Sequence, residues 1–183
     1  MAKITIFGLA GTGTTSAGKT LAQRMSYQFV SSGNMFREMA KENGMTLNEF
    51  EEATNKNAKF DNELDQRIKE FGEQNNNFVV ESRLAWHFIP DSIKVKLTCD
   101  FDERIKRVAT RDKISFEEAK EHNEFRDKKI AERYSKYYGI KNFDDKNFDL
   151  VIDTTSIAIP DVVGKISNFL AVSDGSQRNR NKE

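Results

Sequence analysis

The chain has 183 residues, enough for one domain with a sizeable core, and its 29 basic and 29 acidic residues cancel. That balance leaves no global field to draw in a nucleic-acid polymer or a membrane surface. A single cysteine, Cys99, excludes an internal disulfide framework, and no apolar run reaches bilayer length or signal-peptide form, so a cytoplasmic protein is expected.

The first predicted element is a buried strand over Lys3 to Phe7, a β-branched run ending at glycine. Four more short apolar runs follow as strands: Gln28 to Ser31, Phe78 to Ser82, Ile93 to Thr98 and Leu150 to Asp153. Between them lie charged, helix-favouring stretches at 34–74, 101–138 and 160–170. The two prolines, Pro90 and Pro160, are placed between elements. Strands alternating with helices predict an α/β fold whose parallel sheet is covered on both faces. The segment 173–183 lacks apolar patterning and is expected to be a disordered tail.

Directly after the first strand comes GLAGTGTTSAGKT, which fits the phosphate-loop pattern G-x-x-x-x-G-K-[ST] in two registers. The literal match runs from Gly13 to Thr20 with Lys19 in place. The alternative runs from Gly8 to Thr15, with Thr14 where the lysine belongs. A phosphate loop works because a strand runs straight into a glycine turn whose amides, with the next helix N-terminus, face the anion. Only the Gly8 register begins at the end of the strand. It also allows a helix from near Gly13 that puts Ala17, Leu21 and Met25 on one face. The literal register leaves a helix of roughly 10 Å, too short to cross back over the sheet. In the Gly8 register Lys19 lies five residues beyond Thr14, about 140° around the helix and about 7.5 Å along it, so it cannot replace the missing lysine.

Together with FVSSGNMFREMAKENGMTLNEFEE, DNELDQRIKEF, FVVESRLAW and FDERIKRVATRDKISFEEAKEHNEFRDKKIAERYSKYYGI, the loop resembles the cytidylate kinases of archaeal type, within the nucleoside monophosphate kinases. The resemblance covers about residues 1–170. It implies a P-loop NTPase fold in residues 1–172 with a five-stranded parallel sheet flanked by helices. It also implies a mobile acceptor-binding (NMP-binding) insertion at about 33–70 and a lid at about 109–130. The implied reaction is transfer of the ATP γ-phosphoryl group to CMP or dCMP with Mg²⁺, giving ADP and CDP or dCDP. The partners are then these nucleotides alone, and the chain is expected to be a monomer.

Phosphoryl transfer between two polyanions needs converging positive charge and excluded water. Gly8, Leu9, Ala10, Gly11, Thr12, Gly13, Thr14, Thr15 and Ser16 are the expected ATP-binding residues, the glycines letting amides approach the β-phosphate. Thr15 would offer its hydroxyl to Mg²⁺, and Glu81, at the end of FVVE, would hold a metal-bound water. By resemblance, Arg37 and Arg83 are acceptor-phosphate arginines, Ser32 contacts the acceptor base and Asp65 is an acceptor-side residue. Many relatives carry aspartate where this chain has Ser31. Arg104, Arg107 and Arg111 are spaced along one helix face. Arg107, Arg126 and Arg133 are the expected catalytic cations, and Arg111 an adenine or phosphate contact. Arg104 is read as part of a solvated face paired with Asp102, Glu103 and Asp112. A cation from the lid, Arg107 or Arg126 before Arg111 and Lys120, is expected to supply the charge that Thr14 does not. His87, His122 and Cys99 lack partners at functional spacing, while Tyr134, Tyr137 and Tyr138 are expected to pack the lid helix. Asp153-Thr154-Thr155-Ser156 falls near the family's adenosine site. Two other readings stay open: a kinase for another small acceptor such as AMP, UMP or a metabolite, and a nucleotide binder with weakened catalysis because of Thr14.

Overall fold

Five short apolar runs become five strands: β1 (Lys3–Gly8), β2 (Gln28–Ser31), β3 (Phe78–Glu81), β4 (Ile93–Thr98) and β5 (Leu150–Asp153). The computed structural model describes residues 2–56 and 59–180. The strands form one sheet in the order β2-β3-β1-β4-β5. Lys3 to Ile6 pair with Phe78 to Glu81, Gln28 to Ser31 with the same four residues, and Val95 to Thr98 with Leu150 to Asp153, all in parallel. Ile4, Ile6, Val79, Val80 and Leu97 are fully or almost fully buried. That burial explains runs of apolar residues without alternation, since helices cover both faces of such a sheet.

The helices are α1 (Thr14–Met25), α2 (Ser32–Glu42), α3 (Leu47–Lys56), α4 (Lys59–Gln74), α5 (Ala85–Phe88), α6 (Phe101–Asp112), α7 (Phe116–Tyr138) and α8 (Ile159–Arg180). Among its described residues the stretch 34–74 holds three helices, α2, α3 and α4. The first ends at Asn43 and Gly44, where a positive φ of 66° takes the chain out of the helix. The stretch 101–138 is two helices. Lys113 adopts the left-handed conformation, and Ser115 then opens α7 with a capping box to Glu118. Pro160 lies inside the first turn of α8 rather than between elements, where a missing N–H costs no helical hydrogen bond. The same helix runs through Arg180, eight residues into the segment read as an unstructured tail; residues 181–183 lie outside the described residues.

The chain divides into two compact units. Within Met1–Phe7 with Gly18–Lys94, Ile68, Phe78, Val80, Ala85 and Ile89 form an apolar cluster, and Met39, Ala40 and Phe50 form another, flanked by Phe36 and Phe60. Gly8–Ala17 with Val95–Glu183 is centred on Ile105, Val108 and Ala119, where α6 packs on α7, with Ala10 against the same cluster. The glycine loop and the α6–α7 hairpin therefore belong to one packed unit, and the α2–α4 segment to the other. No helix among the described residues is long and apolar enough to cross a membrane.

Candidate active site

Strand β1 ends at Gly8 and α1 begins at Thr14, so the loop between them is Leu9–Gly13. Gly11 and Gly13 have φ of 89° and 87°, a conformation that side chains disfavour. At Gly11 a Cβ would stand 2.5 Å from the carbonyl oxygen of Arg104, so the loop has no room there for any side chain. Thr12 closes the turn: its amide and hydroxyl both donate to the Leu9 carbonyl, at 3.2 and 2.8 Å. The first helical hydrogen bond of α1 runs from Ala17 to Gly13. The amides before it have no helical acceptor, which makes this terminus suited to an anion. Thr15 and Ser16 are exposed there, whereas Thr14 is buried. Lys19 lies in the middle of α1 and points to solvent, while Ala17 and Leu21 are fully buried and Met25 half-buried.

Three residues hold the loop from behind. Arg104 is 6% exposed; its Nε donates to the Ala10 carbonyl at 2.9 Å, and its Nη2 to Asp127 Oδ2 at 2.7 Å. Arg104 is thus a buried support of the loop and not a member of a solvated face. Thr154, 1% exposed, has its hydroxyl 3.0 Å from the Thr12 carbonyl and 2.9 Å from that of Thr98. Arg107 donates to Glu103, to the Thr154 hydroxyl and to the carbonyls of Thr154, Thr155 and Gly11, between 2.8 and 3.5 Å. Those contacts engage all five of its N–H donors. Thr155 folds back on Asp153, whose carboxyl is held below its ordinary pKa by the Thr155 hydroxyl, then its amide, with the charge of Arg107 adding.

Arg107 and Arg111 line a shallow, open cavity with Glu103, Lys106 and Thr110. Arg111 makes a two-pronged pair with Asp112, both contacts 2.7 Å, which lowers the Asp112 pKa and raises its own. The charge of Arg126, exposed on α7, also lowers Asp112. Arg133 is half-buried on the same helix, beside the Tyr134 ring, and Lys120 is half-buried near its start. Tyr134 stacks edge-on with Tyr138 and Phe143, and Tyr137 with Tyr138, a packing cluster as the sequence suggested.

In the other unit, register places Ser31 beside Glu81 at the ends of β2 and β3. Ser31 is buried and precedes α2; Ser32 is that helix's first residue, half-buried. Arg37, exposed on α2, donates to the Asn34 side chain. Glu81 and Arg83 are half-buried on either side of the buried Ser82, whose amide continues the ladder to Ile6. Asp61 is buried and Asp65 half-buried one turn later on α4. His87 and His122 are exposed, and Cys99 is half-buried. Among the described residues no group of three or more His, Cys, Asp or Glu is placed to hold a metal.

The sequence pattern of the cytidylate kinase-like family matches residues 3–156. A cytidylate kinase of Methanobrevibacter smithii is 37% identical over 163 residues, covering 89% of this chain and 94% of that protein. A cytidylate kinase of Thermococcus kodakarensis is 41% identical over 152 residues, covering 82% and 78%. In structure, a shikimate kinase from Bacteroides thetaiotaomicron superposes with a TM-score of 0.68 over 93% of this chain and 98% of the other. At 17% sequence identity that likeness concerns the fold, a P-loop kinase fold.

Proposed function

The chain belongs to the cytidylate kinase-like family, and on that premise we propose that it transfers the γ-phosphoryl group of ATP to CMP or dCMP. The observation that carries this reading is the loop Leu9–Gly13, which joins a strand end to a helix start with positive φ at Gly11 and Gly13. Its amides and the first turn of α1 bind the donor phosphates. Arg37 and Arg83 clamp the acceptor phosphate, with Ser32 and Asp65 on the acceptor side. An oxygen of the acceptor phosphate attacks the γ-phosphorus in line, the bond to the β–γ bridging oxygen breaks, and ADP leaves. Catalysis is positioning and charge neutralisation, without a covalent enzyme intermediate.

Hard oxygen donors suit Mg²⁺, which takes one or two protein ligands and completes its shell with substrate phosphates and water. Thr15, exposed at the start of α1, and Glu81, at the end of β3, are the residues that would hold it and its water. When bound, the ion neutralises charge developing on the β- and γ-phosphate oxygens. Arg126, Arg133 and Arg111 supply the remaining positive charge from the α6–α7 hairpin. Arg107 joins them by exchanging its carbonyl and Glu103 contacts for phosphate. The cavity beside Arg107 and Arg111 takes the adenosine.

Thr14 in the lysine position favours a second reading, a nucleotide binder of weakened catalysis. A coupled assay of ADP release across CMP, dCMP, UMP and AMP, run beside ATP binding, separates the two. Turnover highest with CMP or dCMP is expected. ATP binding without turnover of any acceptor would leave the binder. Turnover highest with UMP or AMP would make the protein a kinase of another specificity.

A further inference from the structure

We propose that Arg104 and Thr154 are positioning residues that aim the phosphate-binding amides of the loop by holding the carbonyls behind them. In a trans peptide the carbonyl and the next N–H point in opposite directions, and no cis peptide occurs among the described residues. Arg104 draws the Ala10 carbonyl towards α6 at 2.9 Å, which turns the Gly11 N–H away from α6. Thr154 draws the Thr12 carbonyl towards β5 at 3.0 Å, which turns the Gly13 N–H the opposite way. The two aimed amides belong to the two loop residues of positive φ. The intervening Thr12 N–H is spent inside the turn on Leu9.

Both anchors are buried and fixed by further contacts. Arg104 spends a second nitrogen on Asp127 of α7, which ties the loop to the far helix of the hairpin. Thr154 shares its one proton between the Thr12 and Thr98 carbonyls and accepts from Arg107 at 3.3 Å. An anchor of this kind lets a loop lacking the usual lysine bind phosphate with amides that need no rearrangement, since preorganised donors cost nothing to orient.

The inference rests on the loop being the ATP phosphate site, and nucleotide binding tests it apart from turnover. The probe is ADP, titrated calorimetrically into wild type, Thr154→Val, Thr154→Ser and the double variant Arg104→Met/Asp127→Leu. The double variant replaces a partly buried ion pair with apolar groups, a change that proteins often tolerate. Losing the hydroxyl or the guanidinium should weaken ADP binding about tenfold or more, as loss of a buried hydrogen bond does. Thr154→Ser, which keeps the hydroxyl, should stay within about twofold, and the KM for CMP should not move in any variant that turns over. Near-wild-type ADP affinity in both Thr154→Val and the double variant would overturn the proposal. So would equal weakening in Thr154→Ser and Thr154→Val, or failure of both Thr154→Val and the double variant to fold, which would make the contacts purely structural. Wild type that binds ADP but forms no CDP would refute the kinase reading and leave this inference standing.

Discussion

Ser31 lies opposite Glu81 in the β2–β3 ladder, so the residues that end two neighbouring parallel strands stand side by side. The chain leaves those ends as Ser32-Gly33-Asn34 towards Arg37 and as Ser82 towards Arg83. Two motifs about fifty residues apart in sequence therefore start from adjacent strand ends, where ligands bind in parallel α/β sheets. Arg37→Ala and Arg83→Ala should each raise the acceptor KM and lower kcat/KM by roughly tenfold to a hundredfold, the loss of one charge-assisted contact of about 1.5–3 kcal/mol. ATP affinity should hardly change. Steady-state kinetics with CMP as the varied substrate checks this, and wild-type values in both variants would remove the assignment.

Lys19→Ala should leave kcat/KM within a few-fold, because Lys19 is an exposed residue in the middle of α1. Arg126→Ala should cost far more, about 10³-fold or more if it acts as an arginine finger does. Arg107→Ala should also be costly, since it removes four contacts that join the loop at Gly11 to Thr154 and Thr155 after β5, besides its pair with Glu103 on the same helix. Kinetics of the three variants side by side decide the register. Collapse in Lys19→Ala with both arginine variants intact would restore the literal motif.

Gly11→Ala should abolish tight ADP binding. The new Cβ would meet the Arg104 carbonyl at 2.5 Å, and φ of 89° adds backbone strain of about 1–3 kcal/mol. Thermal unfolding with and without ADP checks this: the variant should melt lower and lose most of the ligand-induced rise in Tm. An unchanged rise would mean the loop does not hold the phosphates in this conformation.

The start of α7 should loosen in acid. Glu118 accepts from the Ser115 hydroxyl and amide, and its carboxyl is held below its ordinary value of 4.5 by the hydroxyl first, then the amide. A carboxyl whose pKa is lowered by folding contributes above its unfolded pKa, and the contribution is lost as pH falls through the folded value. Amide protection factors over 115–119 should therefore drop below about the ordinary carboxylate pKa. Ser115→Ala should show low protection at every pH. An acid-dependent drop retained in Ser115→Ala would assign it to another group.

Much of the fold was legible because its strands are buried on both faces and read as short apolar runs; β2, β4 and β5 fall at the expected residues. The helix breaks were less legible, although signals were present: Asn43-Gly44, and Ser115 three residues before Glu118. The glycine turn was readable as the gap between a strand end near Phe7 and a helix start near Gly13, and these ends lie at Gly8 and Thr14. Arg104 was misread because three arginines on one helix face look alike in sequence. Arg104 shares its face with the buried Val108, one turn on, whereas Arg111 ends the helix in solvent. The anchoring by Thr154 could not be read at all, since 142 residues separate it from the carbonyl of Thr12.

The most direct test of the account is the fate of a γ-phosphate label. Purified protein is incubated with γ-labelled ATP, CMP and Mg²⁺, and the nucleotides are separated. Label should appear in CDP, formed in step with unlabelled ADP and absent when CMP is omitted. Label recovered only as inorganic phosphate, or retained in ATP that the protein demonstrably binds, would contradict it.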